Sequence, residues 1–122
     1  NLIEDQEWKT QREVTRAINK HFGAGPDGLP GNDDAGTISA WLVFAMMGIY
    51  PDAQGFTDYL IFKPVFDEVI IHLEDGRNLK IKNNSNSNED YVQQVLFSGE
   101  KINSCKIDHK KISNGGTIEL RY

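Results

Sequence analysis

Between Asp34 and Asp52 this chain carries no charged side chain. Within that span, residues 37–47 read TISAWLVFAMM. Ile38, Trp41, Leu42, Val43, Phe44, Met46 and Met47 fall on nearly every side of a helix drawn through them. A helix that is apolar all round belongs inside a core. Gly48 supplies a stop, and Pro51 prevents the helix from resuming. Few folds accommodate such a helix in a chain of 122 residues, because one amphipathic neighbour cannot cover it. Either the strands that follow wrap it, or it belongs to a larger helical body. The sequence favours the second.

Residues 3–22 read as the amphipathic neighbour. Glu4, Asp5 and Glu7 crowd the first turns, and Lys20 and His21 the last, as the helix dipole prefers. Val14, Ala17, Ile18 and Phe22 form an apolar stripe at helical spacing, with Trp8 near its start. Gly23 then stops the helix, and Gly25-Pro26 forces a loop that runs to Gly36 and holds five glycines and two prolines. From Tyr59 the period changes. YLIF, FDEVIIHL, NLKIK, YVQQVLF and TIELRY are short, β-branched or aromatic, and partly alternating. Asp75-Gly76 between two of them predicts a hairpin. The Asn83 to Asn88 run reads as a polar loop, and residues 106–111, with three lysines and a histidine, as a solvated one. His72 reads as a structural histidine within a strand. The expected fold is α+β. A helical hairpin occupies residues 1–56 and a small antiparallel sheet or sandwich residues 57–122.

Composition narrows the function classes. A net charge of −5 with no clustered basic face argues against a dedicated nucleic-acid binder. No segment reaches the roughly 18 uninterrupted apolar residues that a membrane span needs. Cys105 is the single cysteine and has no partner within the chain. His21, His72 and His109 are scattered, which argues against a zinc site.

The chemistry therefore concentrates in Asn32, Asp33 and Asp34, three consecutive acceptors at the mouth of the apolar helix. Capping by Asp34 or Thr37 would satisfy free N–H groups there, yet one cap needs one acceptor. A calcium loop is a second reading, although the EF-hand pattern fails: Thr37 stands where glycine is required and Val43 where the last glutamate is. Paired carboxylates also suit glycoside hydrolysis. Asp33 is open to metal, pocket or backbone. Asp27, in the same loop, suits a turn, with sugar or metal binding as the alternative. Trp41 suits core packing, with sugar stacking as the alternative, for which Trp8 and Tyr50 compete.

Residues 28–41, GLPGNDDAGTISAW, resemble a signature of glycoside hydrolase family 92, the calcium-dependent exo-α-mannosidases. WKTQREVTRAINKHFGAGPDGLPGN resembles the helix and loop that lead into that signature. MMGIYP, PVFDEVIIHL and NGGTIEL resemble the segments that follow it. The resemblance implies an inverting α-mannosidase with an N-terminal β-sandwich and an (α/α)6 catalytic barrel, of which this chain would be the last helical elements and a β-rich tail. It implies Ca2+ as cofactor and terminal mannosides of N-glycans or mannans as substrates, α-1,2-linked by default. A secreted, periplasmic or cell-surface location goes with it. It places the general base on Asp34. Two residues earlier some relatives carry a second acid, but this chain has Asn32, which cannot ionise and is left to orient water or sugar. The acid partner, a glutamate, is expected upstream in the same polypeptide, so the chain alone is expected to be inactive. The other class of reading is a non-catalytic carbohydrate-binding module with a calcium loop.

Overall fold

The structure is a computed structural model that describes residues 6–85 and 91–122. Helix α1 spans Glu7–His21 and α2 spans Thr37–Met47. Among the described residues eight strands follow: β1 (Ile49–Pro51), β2 (Asp58–Ile61), β3 (Glu68–His72), β4 (Asn78–Asn83), β5 (Gln94–Phe97), β6 (Glu100–Ile102), β7 (Lys106–Asp108) and β8 (Gly116–Arg121). A single-turn helix, α3 (His109–Ile112), precedes the last strand. The α+β class expected from the sequence is what the chain adopts. The first helix begins at Glu7, with Gln6 as its cap. The positions of Glu4 and Asp5 lie outside the described residues, as do 86–88 of the polar loop.

The strands form two sheets, of order β1-β2-β7 and β3-β4-β8-β5-β6. The sheet was expected to be antiparallel. One pair departs from that: β4 runs parallel to β8, with Ile81 opposite Ile118. The chain between them passes through β5, β6, β7 and α3, long enough for the crossover that a parallel pair requires. Residues 106–111, expected as a solvated loop, are instead β7 and α3. Asp108 caps α3 by accepting from the Lys110 amide at 2.7 Å and from the Thr57 hydroxyl at 2.8 Å. These bonds hold its carboxyl below the usual carboxylate range, the Thr57 bond most of all. The Asp75-Gly76 hairpin joins β3 to β4, and His72 in β3 meets Asn78 across it at 2.7 Å.

Successive strand residues point to opposite faces, and the three-stranded sheet uses both. Ile49, Tyr59, Ile61 and Ile107 face the five-stranded sheet. There they join a cluster with Leu79, Ile81, Val95, Ile118 and Leu120. Tyr50, Leu60 and Phe62 face the other way, toward Val14, Ile18, Trp41 and Ala45 of the two helices. The order is therefore helices, small sheet, large sheet, a three-layer arrangement. At the junction Gly48 ends α2 with φ 79°, and a Cβ there would lie 2.6 Å from the Phe62 carbonyl oxygen. Only glycine meets both demands. On the opposite flank Gln11, 3% exposed, ties α1 to the segment before β5. Its amide donates to the Val92 carbonyl at 3.2 Å and accepts from the Val92 amide at 2.9 Å.

Helix α2 is not buried on all sides within this chain. Ala45 is its one buried residue, while Val43 is 55% exposed. Among the described residues the strands cover one face of the helix and do not wrap it.

Candidate active-site loop

The loop before α2 is built around a close backbone approach. The Gly23 amide donates to the Gly28 carbonyl at 3.0 Å, and the Gly28 amide to that of Gly25 at 3.1 Å. A Cβ on Gly28 would stand 2.1 Å from the Gly23 oxygen, so no other residue fits there. Asp27, beside it, is exposed, and among the described residues no hydrogen bond or ion pair engages its carboxylate.

At the helix mouth the three acceptors separate into different environments. Asn32 and Asp34 are exposed and Asp33 is half-buried. The Asp33 carboxylate takes three donors. One oxygen accepts from the Ile38 amide at 2.8 Å and the Ser39 amide at 3.0 Å; the other accepts from the Ser39 hydroxyl. The cap is therefore Asp33, not Asp34 or Thr37. These bonds hold the Asp33 carboxyl below its ordinary value, with the Ser39 hydroxyl contributing most and partial burial opposing. Asp34 engages through its backbone only: its carbonyl accepts from the Thr37 amide and, at 2.6 Å, from the Thr37 hydroxyl. Its carboxylate has no partner among the described residues. Between them the chain folds through a 3₁₀ turn, Asp34–Gly36, closed by the Gly36 amide on the Asp33 carbonyl at 3.0 Å. Ala35 (φ 54°) and Gly36 (φ 75°) are both left-handed.

Trp41 sits one to two turns into α2. One face of its indole stacks on Phe22, with centroids 5.5 Å apart and planes 12° from parallel. It packs against Ala45, Leu60 and Phe62 and borders a shallow groove shared with Lys9, Thr10, Glu13 and Val14. Trp8 contacts Tyr91 edge-on at 6.1 Å, and Tyr50 meets Phe44 edge-on at 5.9 Å. Cys105 lies away from the loop. Burial, and secondarily Glu7, push its thiol up to about 11, which disfavours the nucleophilic thiolate.

Three of the about four lone-pair sites of the Asp33 carboxylate already face N–H or O–H donors. Among the described residues no three His, Cys, Asp or Glu side chains come together in a way that could hold a metal ion. The carboxylates of the loop alone do not assemble the roughly 6–8 oxygen ligands that calcium takes. Ser39 is the contributor that sequence reasoning missed. Its signal was present as a hydroxyl six residues after an acid at a helix start, but the partnership depends on the left-handed turn between them.

The family model described as the glycosyl hydrolase family 92 catalytic domain matches residues 1–122, and the chain belongs to that family. An uncharacterized secreted glycosidase of Arthroderma benhamiae is 36% identical over 107 residues, covering 84% of this chain and 14% of that protein. The inverting family 92 mannosidase of Bacteroides thetaiotaomicron superposes with a TM-score of 0.81 at 32% identity, over 94% of this chain and 16% of that one. A second α-mannosidase of that organism, solved with mannoimidazole, gives 0.82 at 27% identity, over 93% of this chain and 15% of that one. The chain thus spans about a seventh of the length of these relatives.

Proposed function

We propose that this chain is the C-terminal part of an inverting exo-α-mannosidase, and that Asp34 is the general base that deprotonates the attacking water. The observation that carries the assignment is the division of labour between adjacent acids. Asp33 is committed to the helix mouth, whereas the Asp34 carboxylate is exposed and unengaged. A base must reach its water within hydrogen-bonding distance, and of the pair only Asp34 has a carboxylate with no partner among the described residues, whereas Asp33 accepts three hydrogen bonds. Asn32, equally exposed, orients water or a sugar hydroxyl through its amide. Asp27 and Trp41 are proposed to contribute to the sugar pocket more weakly, since Trp41 already spends one face on Phe22.

Inversion requires an acid on the far side of the glycosidic bond, roughly 6.5–9.5 Å from the base. That glutamate, and the ligands of a calcium ion, would come from the rest of the polypeptide. The same upstream part would cover the open face of α2 around Val43. Terminal α-mannosides, α-1,2-linked by preference, are the proposed substrates, and a place outside the cytoplasm accords with the secreted relative. The test is proton NMR of hydrolysis by the full-length enzyme. β-Mannose appears first if water attacks opposite the leaving group; α-mannose as the first product contradicts the proposal.

A further inference from the structure

Resting on the reading of Asp34 as the base, we propose that Asp33 is the positioning residue that aims it. Asp33 grips the turn from both ends. Its carbonyl accepts from the Gly36 amide at 3.0 Å, and its carboxylate binds the Ile38 and Ser39 amides and the Ser39 hydroxyl. Asp34 lies inside that loop of bonds, and its own carbonyl is pinned by Thr37. Its backbone is fixed on both sides while its carboxylate stays unbonded.

Two features exceed what helix capping needs. A cap is satisfied by one side-chain acceptor on one or two amides, yet Asp33 adds the Ser39 hydroxyl, which is not an orphan helix donor. The turn also holds Ala35 at φ 54°. An L-residue other than glycine keeps a left-handed conformation only where surrounding contacts enforce it. The enforcing contacts are those of Asp33, across the turn that presents Asp34. A catalytic group misplaced by about 1 Å loses on the order of a hundredfold in rate, so a residue that fixes the direction of Asp34 acts on turnover without touching the sugar.

The test is a double-mutant cycle in the full-length enzyme, read as kcat and KM on α-1,2-mannobiose. Asp33→Ala is expected to lower kcat about a hundredfold, with KM changed by less than about threefold. Asp33→Asn keeps an oxygen for the two amides and an NH2 for the Ser39 oxygen, and is expected to lose less than about tenfold. In an Asp34→Asn background, Asp33→Ala is expected to change the residual kcat by less than about threefold, because a residue that acts through the base has nothing left to aim. Asp33→Asn as slow as Asp33→Ala would show that the charge itself serves the reaction and would overturn the proposal. So would an undiminished cost of Asp33→Ala in the Asp34→Asn background, the mark of independent action or general damage to the fold. Should Asp33→Ala fail to fold, the same cycle is run with Ser39→Ala, which removes one bond of the three. Failure of the base reading is seen separately, as wild-type turnover in Asp34→Asn alone.

Discussion

The two faces of the small sheet lead to very different cores. Toward the large sheet, ten buried residues form one cluster in which Ile81, Ile118 and Leu120 are 0% exposed. Toward the helices, Ala45, Leu60 and Phe62 are the buried members. Large apolar side chains remain in water on both sides: Val43 (55%) and Leu29 (37%) in the helical half, and Phe56 (69%), Val65 (53%), Phe66 (47%) and Ile70 (43%) in the β half. The β layers complete their own core. The helix pair contributes one buried apolar residue, Ala45, although α2 is the most apolar stretch of the chain. On the function proposed above, the rest of the catalytic domain covers the open face of α2, and the acidic loop lies at the start of the same helix.

That contrast can be broken most strongly in the β core. Ile118→Ala is expected to cost about 2–5 kcal/mol, since a fully enclosed site cannot collapse around the lost methyls. Urea unfolding of the chain measures it, and a cost below about 1 kcal/mol would deny that this core is self-contained. Gln11→Ala probes the seam between α1 and the sheets. It strands both backbone groups of Val92 and should cost about 1–3 kcal/mol in the same assay. Gly36→Ala adds a second alanine to the left-handed turn and should cost about 1–2 kcal/mol, read as a lower Tm.

Acid unfolding addresses the helix mouth. The folded Asp33 carboxyl titrates below its ordinary 3.8. The carboxylate is therefore the form that folding favours. Its stabilisation is complete above that pH and is lost as pH falls through the lower, folded value. Asp33→Asn should flatten the stability profile below about pH 4 and leave its shape near neutrality unchanged. The smallest effect belongs to the open face. Val43→Ser in the isolated chain should change stability by no more than about 0.5 kcal/mol, whereas in the full-length protein the same change should cost more, because there the site would be covered.

Much of the helical half was legible in the sequence because its punctuation is chemical. Gly36 and Gly48 bracket α2, and the apolar run between them ends where the helix ends. The Asp75-Gly76 hairpin was legible for the same reason. The β4–β8 pairing was not, since a parallel partner is chosen by the shared core of Ile81 and Ile118 across 36 intervening positions. Strands as short and polar as β6 and β7 carry too little alternation to be read. In the loop, the sequence narrowed the chemistry to Asn32, Asp33 and Asp34. It did not tell which acid faces the backbone, because that depends on Ala35 taking an angle that alanine ordinarily avoids.

The central claim is that Asp34 is the base and Asp33 its support, so the most direct measurement is mannose release from α-1,2-mannobiose by the full-length enzyme and its Asp34→Asn variant. A fall in kcat of about 10²–10⁴-fold with little change in KM is the predicted result, the loss of a general base from an otherwise intact site. Turnover equal to that of the wild type would contradict the account.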